Sequence, residues 1–423
     1  MPVSVVTAND GEALTLLYSG NLDGELEPCG CSEEGNLGGI KRRATVLDKH
    51  KKDDPNTILI SAGGLISSEG PNDRLKSEYI LKAFTQLGYD AIGVQWRDLA
   101  YGVNFSAEQK LPWVASNWLA GDFQNNVEIV RTLNGNKVHI QFFNWMAPDQ
   151  SPNKQMQGKH VDVHDDIDVL TKQITEAKKQ GRLTVLATSL PLDIIKTLIP
   201  LDAVDLLFER AAYEVYGEPK VDGRTLVVQP GSRGMRLGKL NVKVDAKGNI
   251  NSWEHHVIPM PEAVADSPRM SVWYEEYNEK VKQDYLKQVA IRKQHAEGES
   301  HFVGEEVCQT CHAAPYKIWQ ESDHAMAYDN LEAVGKSFDP NCLQCHTVGF
   351  SDAGGFIDMG LTPHLLGVQC ESCHGAGKQH VASGGTIPVP NKGWSHQQIC
   401  GQCHTQPHSP SFNFEKYWPK IKH

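Results

Sequence analysis

Four times after residue 300 the chain repeats one five-residue pattern: Cys308-Gln-Thr-Cys311-His312, Cys342-Leu-Gln-Cys345-His346, Cys370-Glu-Ser-Cys373-His374 and Cys400-Gly-Gln-Cys403-His404. No other feature of the 423 residues is as restrictive. Two cysteines three apart suit thioether bonds to the two vinyl groups of one porphyrin, and the histidine that follows is placed to ligate its iron. The competing reading is zinc, since four C-x-x-C pairs can also build two four-cysteine sites. The histidines separate the two. With 18 histidines in the chain, four independent hits at one fixed position have a chance probability of roughly one in several hundred thousand, and a zinc site needs no histidine there. The pattern predicts four covalently bound haem c groups, with His312, His346, His374 and His404 as proximal ligands.

The surrounding composition agrees. Residues 301–423 hold 11 of the 18 histidines, and those outside the motifs are His301, His324, His364, His380, His396, His408 and His423. Four six-coordinate irons need four further axial ligands. Methionine, the usual rival, occurs here only at Met326 and Met359. The formal charge of the whole chain is −11, which argues against nucleic acid as a partner. No stretch approaches 18 consecutive apolar residues, so no transmembrane helix is expected.

The match extends beyond the cysteines. Trp319-Gln-Glu-Ser-Asp-His324-Ala-Met-Ala327 and Gly367-Val-Gln-Cys370-Glu-Ser-Cys373-His374-Gly375-Ala-Gly377 resemble, in order, the W-x-x-x-x-H-A-x-A and G-V-x-C-E-S-C-H-G-P-G elements of the cytochrome c-554 family of tetrahaem proteins. Ala376 stands where proline is usual. The resemblance implies His324 as distal ligand of the third haem and His380 as that of the first. It also implies that the segment ending at His423 supplies the ligand of the fourth. The second iron of the family's prototype has no protein distal ligand. Here His364, His396, His301 and His408 are all available, with His364, in Thr362-Pro-His-Leu-Leu366, the first choice if a ligand exists. An open iron would allow small-molecule chemistry; two imidazoles would restrict it to electron transfer.

Residues 1–262 read differently. Apolar runs at 14–17, 57–60, 138–142, 183–186 and 226–229 look like buried strands, with helical stretches such as 74–87 and 167–180 between them. That alternation predicts an α/β sandwich. The alternating segment 239–244 is expected as an antiparallel edge strand. Gly38-Gly-Ile-Lys-Arg-Arg-Ala-Thr45, Ile58-Leu-Ile-Ser-Ala-Gly-Gly64, the stretch 111–119 and Val228-Gln-Pro-Gly-Ser-Arg-Gly234 together resemble the metallophosphoesterase domain of the periplasmic 5′-nucleotidase and UDP-sugar hydrolase family. That likeness implies a four-layered α/β/β/α sandwich.

The family's dinuclear chemistry is not implied. Its metal-binding N-D-x-H becomes Gly20-Asn21-Leu22-Asp23, a strand-end aspartate becomes Gly64, and G-N-H-E becomes Gln95-Trp96-Arg97-Asp98. The later histidine positions fall at Leu190 and near Arg210–Tyr213, so only Asn117 is retained, with Asp23 a substitute. Two hard cations about 3.5–4 Å apart need several oxygen or imidazole ligands, and phosphohydrolase activity is expected to be absent. Cys29-Gly-Cys31 lies on the loop after the first strand. Two thiols one residue apart form a strained, easily reduced disulfide at best, so the pair is either a redox or soft-metal site, or a structural or solvated pair.

Three prolines, Pro259, Pro261 and Pro268, precede a long helix over 270–295 with an apolar stripe of Val272, Tyr274, Tyr277, Val281, Tyr285, Val289 and Ile291. The expected organisation is therefore a metallophosphoesterase-like domain at 1–262, a linker helix within 263–300, and a mostly α-helical and irregular tetrahaem domain at 301–423. Thioether attachment of haem takes place outside the cytoplasmic membrane. The chain opens Met-Pro-Val-Ser-Val-Val without a basic region or a long apolar one, so an export signal is expected to have been removed or left out. The leading functional expectation is an extracytoplasmic electron carrier serving redox proteins or neighbouring cytochromes. The alternatives are a reductase of a small oxyanion or sulfur compound, using an open iron or Cys29/Cys31, and a protomer of a conductive polymer, a homo-oligomer with ligands shared across an interface.

Overall fold

The computed structural model describes residues 13–29, 36–70, 72–152, 163–213, 215–295, 300–405, 409 and 411–423. The chain divides into two compact units, one comprising most of the residues up to Trp273 and the other mainly those from Tyr274 onward.

The first unit contains two six-stranded sheets. In one, the order is Ile250–Pro259, Arg236–Val244, Leu14–Ser19, Ile58–Ser61, Ala91–Gly93, Trp113–Val114. The last four run parallel and the first two join antiparallel. In the other, the order is Lys220–Asp222, Thr225–Val228, Leu206–Phe208, Leu183–Thr188, Asn136–Trp145, Val127–Leu133, with a parallel centre and an antiparallel strand at each edge. The central strands are short apolar runs because they are covered on both faces; Ile58–Ser61, Leu183–Thr188 and Thr225–Val228 are buried throughout.

Between the sheets, Leu14, Leu16, Tyr18, Ile58 and Ile60 pack with Phe142, Val185, Leu206, Phe208 and Val228 in one core. Alternate residues point the other way. Phe143, Leu186 and Leu207 meet Leu170, Ile174 and Ile195 of the helices Ile167–Lys179 and Leu192–Leu198. Helices Ile40–Asp53 and Asp73–Leu87 bury Ile40, Ala44, Leu47, Ile80 and Phe84, and Leu17, Leu59 and Ile92 on the outward side of the first sheet are equally buried. The layers run helix, sheet, sheet, helix. One expectation is corrected: 239–244 is not an edge strand. Ile250–Pro259 follows it and pairs along its whole length. Its alternation arises because Leu237, Leu240 and Val242 are buried while Arg236, Lys239 and Asn241 are half-buried.

Helix Ser271–His295 carries Trp273, Tyr277, Val281, Tyr285 and Val289 at a spacing of four, all buried. The expected stripe was wider; Val272 and Ile291 face solvent. Trp273 belongs to the first unit, where its Nε1 donates to the Tyr79 carbonyl at 2.8 Å. In the second unit Tyr285 and Val289 join Tyr328, Leu331, Leu343, Val348, Phe350, Phe356 and Leu365 in a small core. Arg292 closes it, donating to the Phe350 carbonyl at 2.9 Å and lying 4.3 Å over that ring. Beyond Leu365 no described apolar side chain is buried, although the chain continues through defined short helices at 370–374, 378–382, 396–400 and 414–417.

Candidate functional site

Each C-x-x-C-H pattern forms about one turn of helix. The second and third lie within helices Pro340–His346 and Cys370–His374. In the first and fourth, the histidine N–H donates back to the first cysteine's carbonyl at 2.9 Å, His312 to Cys308 and His404 to Cys400. Helical i,i+3 spacing puts the two thiols of each motif on one face. Cys308 lies within hydrogen-bonding reach of Cys370, and Cys345 of Cys403. Motifs one and three are thus neighbours, as are two and four.

The histidines outside the motifs then fall into place against those within. The rings of His312 and His380 have centroids 6.1 Å apart, those of His324 and His404 6.1 Å, and those of His374 and His423 5.8 Å. Two metal–imidazole bonds of about 2 Å, with about 1 Å from each nitrogen to its ring centre, span about 6 Å. Each separation is therefore that of two imidazoles sharing one metal. By contrast, His396 stacks on Trp418 at 4.1 Å, an ordinary aromatic contact with no room for an ion.

The hydrogen bonding suits ligation. Nδ1 of His380 lies 2.7 Å from the Ile387 carbonyl, that of His346 2.7 Å from the Ala327 carbonyl, and that of His423 3.1 Å from the Ile421 carbonyl. A carbonyl can only accept, so each Nδ1 carries the proton and Nε2 keeps its lone pair for a metal. Burial pushes the pKa of His324, His374 and His404 down, which favours the neutral, ligating form.

His380, expected as the distal ligand of the first haem, lies opposite His312. The other two exchange partners. His324, expected at the third motif, faces His404 of the fourth; His423, expected at the fourth, faces His374 of the third. Trp319 Nε1 donates to the Val368 carbonyl at 2.6 Å, and Val368 N donates to the His324 carbonyl at 3.3 Å. The backbone around His324 is thus tied to the lead-in of the third motif while its ring is turned to the fourth. His364 sits exposed on a short turn beside Gly304. Among the described residues no histidine ring is set against His346 as in the other three motifs. His301 is also exposed, and His408 lies outside the described residues.

One important residue escaped the sequence reading. Glu371, between the cysteines of the third motif, is 5% exposed. Its carboxylate accepts from Val303 N at 3.0 Å, Gly304 N at 2.9 Å and Gly377 N at 2.7 Å, clamping the approach to the first motif onto the third. Gln369 adds to this, accepting from Glu305 N at 3.1 Å and donating to the carbonyls of His364 and Leu366 at 2.9 and 2.8 Å. A charged residue inside an otherwise small-residue turn was the available signal.

In the first unit, the residues aligned with the phosphoesterase metal positions gather at the carboxyl ends of the parallel strands, where α/β sheets bind ligands. Arg97 forms an ion pair with Asp23. Asn21 donates to Asp23 at 3.3 Å and accepts from Gln95 at 2.8 Å. Asp98 is fully buried and accepts from the amides of Gly64, Leu65 and Gln95 at 2.6–2.9 Å. The side chain of Asn117 is engaged with Met146, donating to its carbonyl at 2.8 Å and accepting from its amide at 3.1 Å. Among the described residues no group of three or more His, Cys, Asp or Glu side chains converges to hold a metal ion. Cys31 and the side chain of Cys29 lie outside the described residues.

Comparison with known proteins agrees with both halves of this description. Residues 307–375 match the family described as cytochrome c554 and c-prime. Cytochrome c-554 of Nitrosomonas europaea is 34% identical over 92 residues, covering 18% of this chain and 39% of that protein's length. The fold is similar to that of a 5′-nucleotidase precursor from Thermus thermophilus, with TM-score 0.54 at 19% identity over 70% of this chain and 63% of the other. It is also similar to a calcineurin-like phosphoesterase from Bacillus subtilis, with TM-score 0.51 at 17% identity over 64% of this chain and 98% of the other. These structural likenesses describe the fold alone. The chain therefore joins a metallophosphoesterase-like α/β fold to a segment that is similar to cytochrome c-554.

Proposed function

We propose that the protein is an extracytoplasmic multihaem c-type cytochrome that carries electrons between redox partners. Four haem c groups are attached through Cys308/Cys311, Cys342/Cys345, Cys370/Cys373 and Cys400/Cys403. The observation that carries the reading is the three imidazole pairs, each with the gap of one ligated metal. His312/His380, His374/His423 and His404/His324 would hold three irons, and His346 the fourth. The sparse apolar burial after Leu365 fits a segment whose core material includes porphyrins, since so small a unit needs stabilisation beyond its own side chains. When bound, haem supplies one-electron chemistry. The chain's part is to fix the imidazoles and to hold the Nδ1 protons of His346, His380 and His423 on backbone carbonyls. In this reading the domains are those expected from sequence, 1–262, 263–300 and 301–423, and the first is a docking or binding platform rather than a hydrolase. The location follows from where thioether attachment occurs.

A second reading is supported by His346. With no histidine ring opposite it among the described residues, an iron held there would keep one axial position for a small ligand, as a reductase requires. Intact mass after acid–acetone extraction tests the main reading and should exceed the polypeptide by four haem units; zinc in place of haem would overturn it. A room-temperature spectrum of the oxidised protein separates the two readings, since an open second iron adds a high-spin component to three low-spin haems.

A further inference from the structure

The charge of the cytochrome segment is divided unevenly. Residues 301–375 contain ten acidic residues against Lys317 and Lys336. Residues 376–423 contain Lys378, Lys392, Lys416, Lys420 and Lys422 against Glu415 alone. A net positive stretch in a chain of net charge −11 is a local departure from the prevailing sign.

The structure gathers these lysines. Lys416 and Lys420 flank Tyr417, their Nζ atoms 5.6 and 4.9 Å from the ring centre. Trp418 stacks on His396, and His423 faces His374, which brings the last ten residues to the third motif. Lys392 arrives there by another route: its turn, Pro390–Gly393, is pinned where Asn391 Nδ2 donates to the Cys373 carbonyl at 3.1 Å. Lys392, Lys416, Lys420 and Lys422 are all exposed, and among the described residues none forms an ion pair. Tyr417 and Trp394 are themselves 36% and 47% exposed. Cations around exposed aromatic rings, beside a ligand histidine, make a surface suited to transient docking: charge steers the encounter and flat rings tolerate loose orientation.

We propose that this basic face is where an acidic one-electron carrier protein docks to exchange electrons with the haem of the third motif. The inference rests on the electron-carrier reading above. In the exchange the donor loses one electron and a ferric haem becomes ferrous, with no bond made or broken.

Flavodoxin hydroquinone, an acidic one-electron donor that becomes the semiquinone, serves as the probe. Stopped-flow reduction of the haem-loaded full chain should slow steeply as ionic strength rises, because exposed charges are screened over about 10 Å at 0.1 M salt. At low salt the variant K416E/K420E should react at least about tenfold more slowly, within the range of electrostatic steering, and K392E, remote in sequence, should slow it in the same sense. Dithionite titration of the same samples separates the two claims. If dithionite reduces no haem, the electron-carrier reading fails. If it reduces every variant normally while flavodoxin rates are unchanged by charge reversal, the docking face is wrong. Salt-sensitive dimers that disappear in K416E/K420E, seen by sedimentation without any change in flavodoxin rate, would assign the face to a second copy of the chain and equally overturn the proposal.

Discussion

Removing the Glu371 carboxylate should loosen the cytochrome unit at a single point. Its two oxygens meet three backbone amides, half-buried at Val303 and buried at Gly304 and Gly377. A buried donor left without a partner costs about 1–3 kcal/mol. Glu371→Ala strands all three, and since water can follow into the space, the low end applies, giving a loss of about 3 kcal/mol. For a unit of roughly 150 residues that is a fall in Tm of about 6–12 °C. Glu371→Gln keeps one accepting oxygen but turns an NH2 group toward donors, so it should lose about half as much. Thermal unfolding of the haem-loaded protein, followed in the Soret band, reports this unit; Glu321→Gln, at an exposed acid, is the control. The clamp argument is refuted if Glu371→Ala melts within about 0.5 kcal/mol of the parent, the ordinary range for surface changes.

The His324–His404 pairing predicts that His324→Ala creates one high-spin haem and that this signal vanishes when Cys400 and Cys403 are also replaced; persistence in that triple variant would return His324 to another motif. Nucleotide and sugar-nucleotide hydrolysis with added Mn²⁺ or Zn²⁺ should be absent, and turnover of roughly 1–10³ s⁻¹ would show that the cleft is a working hydrolase. His255, hydrogen-bonded to the Tyr18 hydroxyl at 2.7 Å, has its pKa lowered by burial. Below pH about 6.5 the unfolded chain takes up a proton that the folded site resists, so the first unit should lose stability as pH falls through that range. Denaturant titration at stepped pH should show a shallower slope for His255→Gln.

What could be read in advance was local. The haem motifs, the buried strands and helix 271–295 each declare themselves within a few residues, because one turn of helix or one strand fixes its own side-chain directions. The pairing of distal histidines is not local. His324 lies 80 residues before His404, and its backbone is bonded to the neighbourhood of a different motif. The resemblance implies the third motif for His324, whereas its ring lies against that of His404 in the fourth. The same holds for Glu371: burial of an acid is invisible until the loop at Val303–Gly304 comes across to meet it. Strand Arg236–Val244 was misplaced at an edge because alternation records which faces are buried, not whether a further strand follows.

The cleft at the strand ends shows why a dinuclear centre would be hard to build there by single substitutions. A partly buried carboxylate must be neutralised or hydrogen-bonded, here by the protein itself. Here Asp23 is paired with Arg97 and also accepts from Arg233 N at 3.1 Å. Burial pushes the Asp98 carboxyl up in pKa, but backbone amides counter it. Asn21 and Gln95 satisfy each other. An aspartate at position 64 would meet this network directly. A Cβ there falls 2.6 Å from Asn21 Cγ and Oδ1, and the residue has φ +72°, a left-handed conformation that disfavours a side chain. Even if Asn21 moved aside, one more acid would face a cleft whose cation is already a guanidinium. Gly64→Asp should therefore destabilise the first unit by roughly 1–3 kcal/mol and bind no Mn²⁺ in calorimetry. A variant as stable as the parent that binds Mn²⁺ would show that the ligand set is nearer to completion than the Arg97–Asp23 pair implies.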